Sequence, residues 1–218
     1  MLKRVYISAA QTLLAVPMSR YYATAAHSIA KSYWQRWFAS LGAIYHLDRM
    51  VALDIPWWNV AATCKVEEFL RSRPKARVFE FGSGASTIWL ARRSGQVTSV
   101  EHNAVWANAL ESSLASHSNV KLLRAAYDAS GNLADQPYVN AITGDGLYDL
   151  IVIDGRLRTA CLAAAIPMLQ PHGIILFDDS GRSRYRRAIN ECGLKEEHFR
   201  GLSYCVPYPD HSSILHTA

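Results

Sequence analysis

Residues 76–86 read Ala-Arg-Val-Phe-Glu-Phe-Gly-Ser-Gly-Ala-Ser, an apolar strand that ends near an acid and runs straight into a glycine turn opening a helix. Few folds accept that arrangement. Glycine at 82 and 84 lets the backbone turn tightly and approach a ligand closely, because a residue without a Cβ tolerates dihedrals that others avoid. The unpaired N–H groups at the start of the following helix then face whatever lies above the turn. The pattern predicts a nucleotide-binding crevice at the end of a strand. Glu80, two residues before the first glycine, and Thr87, where the dinucleotide pattern wants its third glycine, argue against a nicotinamide dinucleotide.

Three further stretches follow in register. Gln96–His102 is a β-branched run that reaches Glu101 about 20 residues after the first acid, the spacing of a ribose ligand. A carboxylate there can accept hydrogen bonds from both ribose hydroxyls. Tyr148–Gly155 and His172–Asp179 read as two more buried strands, each with an acid at its end. In this order the four elements resemble the class I S-adenosylmethionine-dependent methyltransferases, whose first strand ends in an acid-x-Gly-x-Gly turn, and the resemblance covers residues 55–218. It implies an α/β fold with a Rossmann-like doubly wound sheet, mostly parallel with an antiparallel C-terminal strand. It also implies that Glu80, Gly82, Ser83 and Gly84 line the methionine end of S-adenosylmethionine, that Glu101 with His102 beside it takes the ribose, and that Asp154 closes the crevice.

The reaction so implied is methyl transfer, expected at oxygen of a small-molecule or sugar-like acceptor. Asp154 and Asp178 are the candidate catalytic residues. Acids at neighbouring strand ends lie side by side, and hard divalent cations favour such oxygen clusters, so Asp154, Asp178 and Asp179 are also the candidate ligands of a magnesium ion. Catechol-type O-methyltransferases use an Asp-Asn pair after the fifth strand; this chain has Asp178-Asp179. Arg156, Arg158, Arg182, Arg184, Arg186 and Arg187 follow the same two strands beside Tyr185. They fit either an anionic group on the acceptor or solvated helix faces. His102, His172 and His211 are read as structural rather than as bases. Another transferase using the same donor, of the aminopropyl type, and a catalytically silent donor-binding or scaffold protein are the alternatives.

The chain has 218 residues, 50% hydrophobic and 19% charged, enough for one sizeable core. Its net charge of +5 lies wholly in residues 1–47, where Lys3, Arg4, Arg20, Lys31 and Arg36 meet no acid. The remainder is balanced, which argues against nucleic acid as acceptor. Cys64, Cys161, Cys192 and Cys205 lack metal-type spacing and read as free thiols of a reducing compartment. Residues 1–54 form a basic N-terminal extension. Its apolar stretch Val5–Met18 is too short to span a membrane and fits a presequence, a signal peptide or helices packed over the core, with peripheral contact to an anionic membrane as a further reading. Cytoplasmic location is expected, with the mitochondrial matrix or the cytosolic face of a membrane as alternatives. Trp34, Trp37 and Phe38, at helical spacing, are expected in a core or interface.

Strands alternating with helices at Ala61–Arg71, Ala85–Arg93, Ala104–Ser116, Arg158–Leu169 and Ser183–Cys192 require a parallel sheet covered on both faces. The polar stretch Ala125–Gly146 has room for one short helix. At the C-terminus, Pro207-Tyr208-Pro209-Asp210 reads as the turn between two strands, the second at Ser212–His216.

Overall fold

The computed structural model describes residues 32–128 and 130–217. Val5–Met18 and the presequence, signal-peptide and membrane readings attached to it lie outside the described residues. Two short helices, α1 (Tyr33–Ser40) and α2 (Leu47–Leu53), precede α3 (Val60–Ser72), which Asn59 caps by accepting the N–H groups of Ala61 and Ala62. There follow β1 (Arg77–Phe81), α4 (Ala85–Ala91), β2 (Gln96–Glu101), α5 (Ala104–Leu114) and β3 (Val120–Arg124). A 3₁₀ turn at Leu133–Asp135 and α6 (Pro137–Asn140) fill the polar stretch before β4 (Tyr148–Ile153). The chain continues through α7 (Arg158–Ala165), a 3₁₀ turn at Ile166–Met168, β5 (Leu169–Asp178), α8 (Ser183–Glu191), β6 (Lys195–Ser203) and β7 (Val206–His216).

The seven strands form one sheet in the order β3-β2-β1-β4-β5-β7-β6. The first five are parallel, and β7 runs antiparallel to both β5 and β6. This is the doubly wound arrangement anticipated above. The strand order reverses between β1 and β4, so the loops leaving their C-terminal ends diverge and open a crevice there.

Side-chain alternation decides what each face of the sheet holds. Phe79, Phe81, Ile151, Ile153, Ile175 and Phe177 pack with residues of α6, α7 and α8. Val78, Val152 and Leu176 face the opposite way, onto Ala62, Val66 and Leu70 of α3 and Trp89 and Leu90 of α4. All seven residues of α4 are buried, because α2 and α5 cover the side turned from the sheet.

A third cluster joins the N-terminal helices to the tip of the β6–β7 hairpin. Ala43, Ile44, Met50, Leu53 and Ile55 pack against Tyr204, Cys205 and Val206. Hydrogen bonds fix the contact: Trp37 Nε1 donates to the Val206 carbonyl at 3.1 Å, and the Cys205 N–H to Ser40 Oγ at 2.8 Å. Trp37 is thus in a core, whereas Trp34 and Phe38 are 62% and 65% exposed. No helix among the described residues is long and apolar enough to cross a membrane.

The hairpin corrects one expectation. Its turn lies at Tyr204–Cys205, and Pro207 to Asp210 are within β7. β5 ends at Asp178 opposite Ser212, so the earlier part of β7 has a neighbour only on the β6 side and tolerates prolines without losing ladder bonds. Beyond Ser212, β7 is the strand that joins β5 to β6. Deleting residues 211–218 removes every one of those β5–β7 pairs. The expected outcome is loss of a cooperative melting transition by circular dichroism, not a modest shift in Tm.

Candidate active site

The glycine turn is held from behind by Glu80. In β1 this residue shares the face of Val78, which turns its carboxylate under α4 rather than into the crevice. Thr87 Oγ1 donates to its Oε2 at 2.6 Å and Ser99 Oγ to the same atom at 2.7 Å, while Ser86 Oγ donates to Oε1. Thr87 Oγ1 also accepts the Gly84 N–H at 2.9 Å, and Ser83 Oγ lies 2.7 Å from Ser99 Oγ. Glu80 is completely buried with no cation beside it among the described residues, and burial pushes its pKa up to about 7 against the pull of the three hydroxyl donors. The expectation that Glu80 itself faces a ligand is therefore revised: it anchors the floor on which the turn rests.

Gly82 adopts φ +95°, and a Cβ there would sit 2.6 Å from the Gly155 Cα. A Cβ on Gly155 would in turn lie 1.9 Å from Tyr138 Oη. The ends of β1 and β4 thus meet backbone to backbone. Gly84 is different: a Cβ there would meet nothing nearer than Ser86 Oγ at 3.8 Å, so its bare backbone borders open space.

Glu101 ends β2 at the wall of that space, 5% exposed. Its Oε1 accepts the N–H groups of His102 at 2.8 Å and Asn103 at 2.7 Å, and its Oε2 accepts that of Ser83 at 3.2 Å. One lone pair of Oε2 is left for a further donor. His102 Nδ1 is 2.8 Å from Oε1 but off the line of a hydrogen bond, and its ring packs near Tyr127 at 5.2 Å and Tyr138 at 5.9 Å. Trp106 of α5 closes the turn from above, its Nε1 donating to the Ser83 carbonyl at 2.8 Å.

Across the crevice the acids after β4 and β5 converge on one cation. Arg158 Nη2 donates to Asp154 Oδ1 at 2.8 Å, and its Nη1 lies 3.3 Å from Asp179 Oδ2 and 3.6 Å from Asp178 Oδ2. The same guanidinium donates to the carbonyls of Asp154, Gly155 and Asp178. Asp154 Oδ2 accepts from Trp58 Nε1 at 3.0 Å, and Asp178 Oδ1 from Ser212 Oγ at 2.8 Å. Burial, then the neighbouring Asp154 carboxylate, holds Asp178 well above the ordinary carboxylate range despite Arg158. Burial raises Asp154 in the same way. Two residues in the loops that set this geometry take left-handed backbone, Leu157 at φ +49° and Asp179 at φ +58°. Asp tolerates that region; a bulky apolar residue does so only under constraint.

These groups line one open cavity of about 830 Å³ that runs from the glycine turn, Glu101 and His102 to Asp154, Asp178 and Asp179, and Tyr45, Met50 and Trp57 reach it from the N-terminal segment. Residues 79–180 match the sequence profile of a family described as a methyltransferase domain. Over that stretch, a little under half of its length, the chain matches a methyltransferase domain. A Staphylococcus aureus structure designated a caffeoyl-CoA O-methyltransferase is similar, with a TM-score of 0.54 at 18% identity over 76% of this chain and 87% of that one. The precorrin-6y C5,15-methyltransferase of Geobacter metallireducens gives 0.55 at 13% identity over 72% and 88%. A Streptococcus mutans structure designated a methyltransferase, in complex with SAH, gives 0.50 at 12% over 70% and 96%. At these identities the likeness is one of fold. A search among curated proteins finds no match.

Within the methyltransferase domain, the acid trio does not fit the magnesium ion expected of it. A guanidinium occupies the point on which Asp154, Asp178 and Asp179 converge, and among the described residues no group of three or more His, Cys, Asp or Glu is arranged to hold a metal. Several residues that shape the domain's cavity were not singled out from the sequence as site residues: Gly155, Trp58, Tyr138, Trp106 and Tyr127. Arg158, named from the sequence only for an acceptor anion or a solvated helix face, is instead buried against Asp154 four residues before it, a spacing the sequence displays.

Two outcomes follow for the domain's stability. Arg158→Ala leaves three carboxylates facing one another; unfolding in urea should show a loss of about 3–5 kcal/mol, smaller at pH 5 than at pH 8 because the acids can then take up protons. Glu80 has its folded pKa raised above the unfolded value, so its contribution is present at low pH and is lost as pH rises through about 7. Glu80→Gln should flatten the fall of Tm between pH 5 and pH 8, and an unchanged slope would place the titration elsewhere.

Proposed function

We propose that the protein is an S-adenosylmethionine-dependent methyltransferase acting on oxygen of a small-molecule acceptor. One observation carries the reading: the bare backbone of Gly82 and Gly84 and the free lone pair of Glu101 Oε2 border the same cavity as Asp154 and Asp178. The residues fit the donor. Ser83 and Gly84 offer backbone along which its methionine portion can lie, Glu101 can accept a ribose hydroxyl, and the His102–Tyr127 wall gives its adenine an aromatic surface. When bound, S-adenosylmethionine supplies an electrophilic methyl group, and the related fold seen in complex with SAH supports its use.

The chain's own contribution is to position the acceptor, take its proton and keep out water. Asp154 is the group suited to receive a hydroxyl proton. Trp58 Nε1 and Arg158 fix its two oxygens in place, and burial raises its proton affinity toward that of a useful base. Asp178 lies next to it with Ser212 holding one oxygen; burial and the Asp154 carboxylate raise Asp178, and the charge of Asp179 adds to burial in raising Asp154. Because Asp154 must be ionised to take that proton and burial raises its carboxyl, activity should rise with pH along a limb above the ordinary carboxylate range. The pairing of both acids with Arg158 also favours a second reading, a donor-binding protein without turnover.

Calorimetry with S-adenosylmethionine and SAH, followed by assay of SAH release over a panel of hydroxyl acceptors, tests these readings. Expected are binding of both ligands and a weakening of about tenfold or more in Glu101→Gln, with loss of turnover in Asp154→Asn. Binding without turnover on any acceptor favours the second reading, and failure of both ligands to bind the wild-type protein overturns the donor assignment.

A further inference from the structure

The six arginines that follow β4 and β5 separate into two sets. Arg186 pairs with Glu196 through both terminal nitrogens at 2.7 Å, Arg187 with Glu191 at 3.1 Å, and Arg158 is the internal partner of the three acids. Arg182 reaches Asp179 Oδ2 at 2.5 Å. Arg156 and Arg184 have no carboxylate within ion-pair distance among the described residues, and both line the cavity.

Arg184 is held in readiness. Its Nη2 donates to Tyr185 Oη at 2.8 Å and its guanidinium lies 4.7 Å from that ring's centroid. Tyr185 is itself fixed edge-on against Phe177 of β5 at 5.3 Å. Arg182 and Arg184 also stand at the N-cap and second residue of α8, whose first turn holds no acid, so they add positive charge where the helix end already carries some. Arg156 stands on a backbone fixed by its N–H to Tyr138 Oη and by Cys161 Sγ, which donates to its carbonyl. The acids on this side already have partners: Arg158 lies against Asp154, Asp178 and Asp179, Arg182 reaches Asp179, and Asp210 Oδ1 accepts the His211 N–H at 2.8 Å.

We propose that the acceptor carries an oxyanion, a carboxylate or a phosphate, that Arg156 and Arg184 bind. Guanidiniums without a carboxylate partner at the rim of one cavity are suited to grip an anion through charge-assisted, bidentate hydrogen bonds. The group fixes one end of the acceptor at the arginines so that its hydroxyl is presented to Asp154. The proposal rests on the methyltransferase reading, and it names the acceptor's class.

The test uses the full chain loaded with SAH and titrated in a calorimeter with 4-hydroxybenzoate, phenyl phosphate and phenol. At least one anion is expected to bind where phenol does not, with affinity falling as sodium chloride rises; which anion binds separates carboxylate from phosphate. Arg156→Ala and Arg184→Ala should each weaken that binding about tenfold or more while SAH affinity and Tm stay as in the wild type. Neither anion binding, phenol binding as well as the anions, or unchanged anion affinity in both variants overturns the proposal. Failure of SAH to bind instead removes the reading beneath it.

Discussion

The contact between the backbones of Gly82 and Gly155 governs the upper edge of this sheet. With no room for a Cβ on either residue, the ends of β1 and β4 close to van der Waals distance, and the loops that leave them have to part in opposite directions. The crevice is what remains between those loops. Its two banks then follow from the strands: Ser83, Gly84 and Glu101 on one side, Asp154 and Asp178 on the other. Glu80 keeps the first bank in place from below. One carboxylate gathers hydroxyls from α4 and β2, and through Thr87 it also fixes the Gly84 N–H.

The second bank has an electrostatic problem that the first does not. Three acids at adjacent strand ends repel, and a cation is needed to hold them at this spacing. Arg158 serves, and unlike a bound ion it comes with the chain. Its planar fork reaches backbone carbonyls as well as carboxylates, so it locks the loops after β4 and β5 to each other. The left-handed turn at Leu157 directs the side chain of the next residue inward, and the strain there is tolerated because the ion pairs determine the loop. Removing the guanidinium is therefore a different perturbation from removing any one acid.

Much of this was legible in the residues. The glycine turn, the alternation of strands with helices and the acids at strand ends come from local periodicity, which a linear sequence displays directly. The orientation of Glu80 was also present in principle, since its parity with Val78 places it on the α4 face; the resemblance drew attention to a ligand role instead. Arg158 showed its i,i+4 spacing to Asp154, but its pairing with Asp178 and Asp179 needed the β4–β5 register. Pro207 and Pro209 were misleading for a physical reason. Proline marks turns where both sides of a strand are paired, and this part of β7 extends past the end of β5. Packing of α1 and α2 against the hairpin tip is contact between distant parts of the chain and leaves no periodic trace.

That last contact bears on the chemistry. The segment Ile55–Asn59 ties the second bank to the hairpin: Trp58 Nε1 holds Asp154, the Trp58 carbonyl accepts the Tyr204 N–H at 3.1 Å, and Asn59 Nδ2 donates to the Asp210 carbonyl at 3.1 Å. Trp58 is wholly buried and packs edge-on against Trp89 of α4, beside the glycine turn. The indole that orients the candidate base is thus clamped between the hairpin tip and the helix that follows the turn. Displacement of the hairpin would pull on Trp58 and so on the Asp154 Oδ2 that its indole holds. The N-terminal helices, by packing on that tip, therefore act on the alignment of the two banks as well as on the shape of the cavity mouth.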